Sequence, residues 1–168
     1  MKQTIEVLNQ LEHDGVVGRY AVAGAIAATF YVEPLPTYDL DVFVLIKTTP
    51  GKLISLTPIY ARLEELGFKP HREHVVIHGV PVQFIPVYNR LSEEALNGAR
   101  AVEYDHTPTR VIRPEHLLAI MLQTARPKDL VRARLLAEQA EVDTAYLLKL
   151  LRRHGLTRNW RELKRRAG

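Results

Sequence analysis

Two aspartates one residue apart, Asp39 and Asp41, lead directly into the apolar run Val42-Phe43-Val44-Leu45-Ile46. Successive strand side chains alternate faces, so the two carboxylates project on the same side. The run that follows reads as a buried strand rather than a solvated loop. Two carboxylates at the mouth of such a strand repel each other unless a cation, a base or water compensates. The chain must therefore build a sheet around this segment, and the pair suits a divalent metal.

The 168 residues suffice for one full core, or for a domain with a small helical appendage. The chain has no cysteine, which excludes disulfides and thiolate metal sites. No apolar run approaches the length of a membrane span, and the N-terminus lacks the apolar core of a signal peptide, so the cytoplasm is the expected compartment, with no membrane partner. The net charge of +4 is unevenly placed. From Ala145 onward Lys149, Arg152, Arg153, Arg158, Arg161, Lys164, Arg165 and Arg166 stand against Glu162 alone, giving +7 there and −3 elsewhere. Such a tail can attract polyanions, RNA included, or can be a solvated set of cations favoured near helix C-termini.

Periodicity orders the elements. Ile5, Leu8 and Leu11 predict an opening helix that ends near Asp14-Gly15. A short apolar strand over 19–23 meets Gly24, a compact small-residue helix follows over 25–30, and the prolines of 31–36 require a loop. The aspartate strand then runs to about Lys47, and Pro50-Gly51 breaks the chain. Leu53, Leu56, Ile59, Tyr60, Leu63 and Leu66 recur at helical spacing before Gly67. Strands over 73–77 and 80–87, joined at His78-Gly79, predict an antiparallel hairpin. Ser92 is the expected cap of a short helix through about Asn97. The stretch 100–112 reads as irregular or strand-like. Beyond it the pattern is wholly helical: 114–124, 127–139, 143–153 and 157–166, with Pro114 and Pro127 at first helical positions and Asp143 as an N-cap. An α/β part, 1–113, thus precedes a helical part, 114–168, the two sharing an interface.

This order resembles the nucleotidyltransferase superfamily, the DNA polymerase β-like fold, and within it the minimal nucleotidyltransferases of the AbiEii/AbiGii abortive-infection toxin type. The likeness is carried by Tyr20-Ala21-Val22-Ala23-Gly24-Ala25, Thr37-Tyr38-Asp39-Leu40-Asp41-Val42, Gly79-Val80-Pro81-Val82-Gln83-Phe84-Ile85-Pro86 and Arg126-Pro127-Lys128-Asp129-Leu130. The resemblance implies an α/β (α+β) fold, a mixed sheet flanked by helices, with a C-terminal helical bundle. It implies Mg²⁺ (or Mn²⁺)-dependent transfer of a nucleoside monophosphate from a nucleoside triphosphate to an RNA or protein hydroxyl, in a toxin–antitoxin or phage-defence setting.

The roles so implied are Asp39 and Asp41 as catalytic metal ligands, Gln83 as a weak third ligand, Gly24 and Ala25 as the phosphate turn, and Arg126 and Lys128 as triphosphate contacts. A glycine at a strand-to-helix turn admits a phosphate to backbone N–H groups, and Mg²⁺ takes few protein carboxylates and completes its shell with phosphate and water. Three positions depart from the family pattern: Gln83 stands where a third carboxylate is expected, Met121 where a helical lysine is, and Arg132 where an acid is. They motivate a second reading, a catalytically degenerate member that binds nucleotide, RNA or a protein partner. Glu73, Glu103 and Asp105 are the candidate replacements for the missing acid. His71, His74 and His78 read as an exposed hairpin rather than a zinc site, Pro50-Gly51-Lys52 lacks the rest of a P-loop, and Trp160 reads as a core anchor with Leu156 and Leu163.

Overall fold

The apolar run after Asp41 forms β2 (Leu40–Leu45) in the middle of a sheet. Leu40, Val42 and Val44 are fully buried on one face, and Phe43 is nearly so on the other. Cover on both faces is what such a run demands, and each buried Val or Leu contributes roughly 1.5–3 kcal/mol.

The computed structural model describes residues 1–34, 36–46, 54–71 and 73–165. Lys47, Pro50-Gly51-Lys52, Leu53 and Arg166, which figure in the sequence reading, lie outside the described residues. The remaining strands are β1 (Arg19–Val22), β3 (Pro70–His71), β4 (His74–Ile77), β5 (Val80–Pro86), β6 (Arg100–Tyr104) and β7 (Thr107–Val111). Among the described residues they make a seven-stranded sheet in the order β3-β4-β5-β2-β1-β7-β6. β2 is antiparallel to β1 and parallel to β5, so the sheet is mixed, as expected. The helices are α1 (Lys2–His13), α2 (Gly24–Ala28), α3 (Thr57–Glu65), α4 (Arg90–Asn97), α5 (Pro114–Thr124), α6 (Pro127–Gln139), α7 (Thr144–Arg153) and α8 (Thr157–Arg165).

The predicted hairpin is present: Ile77 pairs with Val80 around His78 (φ 48°) and Gly79 (φ 81°), the two positive φ values that a tight hairpin turn needs. The stretch 100–112 is a second hairpin, in which Tyr104 pairs with Thr107 around Asp105 (φ 48°) and His106 (φ 59°). Its turn holds no glycine, so the usual sequence signal is missing. Ser92 is not the cap of α4. Asn89 is, accepting from the Ser92 N–H at 2.8 Å, while the Ser92 hydroxyl lies 3.3 Å from the Asn89 N–H in a reciprocal capping box. His71 and His74 are not on one strand: they sit opposite each other on β3 and β4.

The C-terminal helices start where the sequence places them. Pro114 and Pro127 open α5 and α6, and Asp143 caps α7 by accepting from the Tyr146 N–H at 2.9 Å. α5 is buried nearly all round and packs against α2, α4, α6, α7 and α8. Leu156 and Leu163 are buried and Trp160 packs beside them, with the Lys164 ammonium 5.4 Å from its ring centre. Trp160 is thus a core anchor. No helix among the described residues is long and apolar enough to cross a membrane.

Candidate active site

Parallel pairing of β2 with β5 puts Asp41 opposite Gln83 and Phe43 opposite Ile85. Period-2 alternation therefore brings Asp39, Asp41, Phe43, Gln83 and Ile85 to one face, where they line a cavity of about 540 Å³ with Ala23 and Gly24. α5 contributes the apolar wall Leu117, Ile120 and Met121, and the start of α6 contributes Arg126, Lys128, Asp129 and Arg132. Tyr88, Asn89 and Ser92 complete the lining from the β5–α4 connection and the first turn of α4. Met121, where the resemblance expects a lysine, is buried at this wall.

Gly24 is required here by a carboxylate. Its φ is +59°, and a Cβ at this position would lie 1.9 Å from Asp41 Oδ2. The Ala23 N–H donates to the Asp41 carbonyl at 2.8 Å, which fixes the β1 end against β2. Burial, then the neighbouring Asp39 charge, push the Asp41 carboxyl above the usual carboxylate range, and Lys128, Arg132 and Arg126 oppose that shift. Asp39 is less buried: the Thr37 hydroxyl donates to its Oδ1 at 3.1 Å, and His74 Nε2 lies 3.6 Å from its Oδ2.

The α6 cations are held by an acid. Asp129 is buried in the first turn, where a helix favours negative charge. It accepts from the Thr124 hydroxyl at 2.7 Å and from Arg126 Nε at 2.6 Å, with Arg132 Nη1 4.0 Å from its other oxygen. Ala125 reverses the chain ahead of this turn with φ 51°.

Of the residues singled out from sequence, Gly24, Asp39, Asp41, Gln83, Arg126 and Lys128 converge on the cavity. Ala25 is buried in α2 and does not line it. Glu73 lines a separate outer groove with His71 and His74, and Glu103 and Asp105 belong to the hairpin at the far edge of the sheet, so none of the three replaces the missing acid. Arg132, noted from sequence only as a departure from an expected acid, lines the cavity, and His74, read as part of an exposed hairpin, meets Asp39 from outside it. Arg132 follows Asp129 by three residues and so shares its helical face, which sequence could have shown. The meeting of His74 with Asp39 depends on the β4–β5–β2 order, which no local pattern encodes.

The donors that could meet a metal are hard oxygens: two carboxylates and the Gln83 amide. Among the described residues no group of three His, Cys, Asp or Glu side chains could hold a metal ion. The set fits an ion that accepts one or two carboxylates and completes its shell with phosphate and water, as Mg²⁺ does.

No protein-family model and no curated protein sequence matches the chain. Solved structures do. The crystal structure of an antigenic nucleotidyltransferase-like protein from Paracoccidioides brasiliensis matches 79% of this chain and 74% of its own at 13% identity, with a TM-score of 0.54. ANT(2'')-Ia in complex with adenylyl-2''-tobramycin matches 94% and 98% at 14% identity and a TM-score of 0.56. The solution structure of the same antibiotic-resistance factor matches 99% and 98% at 16% identity and a TM-score of 0.53. A likeness at these identities is one of fold, and the fold of this chain is that of the nucleotidyltransferase-like proteins.

Proposed function

We propose that the chain is a divalent-metal-dependent nucleotidyltransferase that moves a nucleoside monophosphate from a nucleoside triphosphate to an acceptor. The observation that carries this reading is the meeting of the Asp39–Asp41 pair with Arg126, Lys128 and Arg132 in one cavity beside Gly24. Asp39 and Asp41, with the Gln83 amide oxygen as a weaker third donor, would hold Mg²⁺ or Mn²⁺. When bound, the ion supplies Lewis-acid activation of the α-phosphate and neutralises charge on the departing pyrophosphate. Arg126 and Lys128 would bind triphosphate oxygens, and the proposed phosphate turn at Gly24 and Ala25 lies beside them, with the Asp41 carboxylate against Gly24. A neighbouring structure that holds adenylyl-2''-tobramycin supports this reaction class.

The resemblance adds an RNA or protein acceptor and a toxin–antitoxin or phage-defence role of the AbiEii/AbiGii kind, in the cytoplasm. RNA would approach the basic C-terminal region, where Lys149, Arg152 and Arg161 are exposed. Incubation with α-labelled ATP, CTP, GTP or UTP and Mg²⁺ should transfer label to an acceptor. Replacing an outer partner of a metal ligand costs 10–100-fold, so loss of a direct ligand in Asp39→Ala should cost more than about 100-fold. Unchanged transfer in Asp39→Ala would sink the reading.

Gln83 favours a second reading, a protein that binds nucleotide, RNA or a protein partner without chemistry. An amide beside Asp41 cannot serve as a base. This reading expects Mg²⁺-dependent nucleotide binding that is lost in Asp41→Ala, with no label transfer to any acceptor.

A further inference from the structure

We infer that the acceptor of this site is a phosphate monoester, whose oxygen attacks as an anion, and that Gln83 and Arg132 form its subsite. The inference rests on the nucleotidyltransferase reading above.

A hydroxyl acceptor has to lose a proton on attack, and among the described residues the cavity offers no side chain placed to take it. Asp39 and Asp41 are the metal pair. Asp129 is buried and committed to two guanidinium groups: its Oδ2 accepts from Thr124 and Arg126, and its Oδ1 faces Arg132 Nη1 at 4.0 Å. The His74 imidazole lies against Asp39 but lines the outer groove instead of the cavity. At the position directly across from Asp41 stands Gln83, an amide.

The same arrangement suits an anion. A carboxylate at position 83 would repel an incoming phosphate, whereas the Gln83 amide can donate a hydrogen bond to it. Arg132 lines the same cavity, only a fifth of its side chain is exposed, and its charge is felt at Asp41. An arginine largely withdrawn from water is well suited to a phosphate monoester. It also screens the repulsion between an anionic acceptor and the triphosphate, which a neutral acceptor would not require.

The step balances without a base. An oxygen of the acceptor phosphate bonds to the α-phosphorus as the α-phosphorus–bridging oxygen bond to the β-phosphate breaks. Pyrophosphate leaves with the bonding pair, and the product is a phosphoric anhydride joining nucleoside monophosphate to acceptor. A phosphate monoester is ionised at neutral pH, so no proton moves.

The test uses the full chain, Mg²⁺ and α-labelled nucleoside triphosphate with three acceptor pairs: ribose 5-phosphate and ribose, a 5′-phosphorylated oligoribonucleotide and its 5′-hydroxyl form, and a phosphoserine peptide and its serine form. The pairs distinguish a small molecule, an RNA end and a protein as the source of the phosphate. Label is expected only in phosphorylated members, in a linkage that resists phosphatase and is cut by nucleotide pyrophosphatase. Gln83→Asp is expected to lower that labelling at least about tenfold, because a like charge then faces the acceptor. Arg132→Gln should raise the acceptor KM by a larger factor than it raises the nucleoside triphosphate KM. Nucleoside triphosphate binding is measured in parallel by equilibrium dialysis. Label in the hydroxyl members, or in no acceptor while nucleotide still binds, overturns this inference and leaves nucleotide binding intact. Absence of Mg²⁺-dependent nucleotide binding overturns the nucleotidyltransferase reading, and this inference with it.

Discussion

Gly24→Ala tests the link between the β1–α2 turn and the carboxylate pair. Two costs are involved. The backbone at φ +59° is one that L side chains rarely adopt, worth roughly 1–2 kcal/mol. The added Cβ also meets Asp41 Oδ2 at 1.9 Å, so the carboxylate must retreat by about 1.5 Å to reach ordinary contact at 3.4 Å. Gly67→Ala separates the two, because Gly67 has φ +88° with nothing within 4 Å of its would-be Cβ. We expect Gly67→Ala to lose about 1 kcal/mol and Gly24→Ala about 3 kcal/mol, a Tm difference of roughly 4–8 °C for a chain of this size. A misplacement of about 1 Å at a reacting centre can cost on the order of 100-fold, so label transfer should fall by about that factor in Gly24→Ala and stay unchanged in Gly67→Ala. Urea unfolding and the α-label assay measure both effects. Equal stability loss in the two variants, with transfer retained in Gly24→Ala, would refute the reasoning.

Asp129→Ala removes the buried acceptor of Thr124 and Arg126. It should destabilise by about 1–3 kcal/mol in urea unfolding and weaken triphosphate binding in dialysis, since Arg126 is no longer held. His116 is fully buried against Tyr146, and burial, opposed by Glu94 and reinforced by Arg113, lowers its pKa from 6.5 to about 4. The unfolded chain therefore takes up this proton near pH 6.5 and the folded protein only near 4. Stability is full above pH 6.5 and falls through that window, by at most on the order of 3 kcal/mol. Burial raises the pKa of Glu94, but hydrogen bonds from His154 and Arg153 outweigh it and hold the carboxyl below its usual range. Acid thus weakens the same α4–α5–α7 junction at lower pH as well. His116→Gln should flatten the Tm profile between pH 6.5 and 4; an unaltered slope would exclude His116 as its source.

Much of the fold was legible because its signals are local. Pro114 and Pro127 mark helix starts through a fixed φ and a missing donor, and the β4–β5 hairpin shows its His78-Gly79 turn. The β6–β7 hairpin hides because Asp105 and His106 supply positive φ without glycine. The capping box was half-legible: Ser92 is a member, but the choice of Asn89 as N-cap depends on how β5 delivers the chain. Asp39 and Asp41 were readable from strand alternation, whereas their company of Gly24, Gln83, Arg126 and Lys128 was readable only through the family resemblance, not from any local pattern. Gln83 meets Asp41 only through parallel pairing across 42 positions of sequence. Gly24 is informative in a different way from the one its position suggests. Its freedom serves a phosphate only in the proposed complex, but in the protein itself it makes room for Asp41.

The lining of the cavity has a consequence for how ligands arrive. Three carboxylates, Asp39, Asp41 and Asp129, face three cations, Arg126, Lys128 and Arg132, so its formal charge is balanced. A bare triphosphate drawn to the cations meets the carboxylates, and a bare divalent ion drawn to the carboxylates meets the cations. The metal–nucleotide complex carries both signs and can satisfy both walls at once. In the proposed complex the two ligands would therefore be admitted together, with Asp39 and Asp41 facing the metal and Arg126 and Lys128 facing the triphosphate.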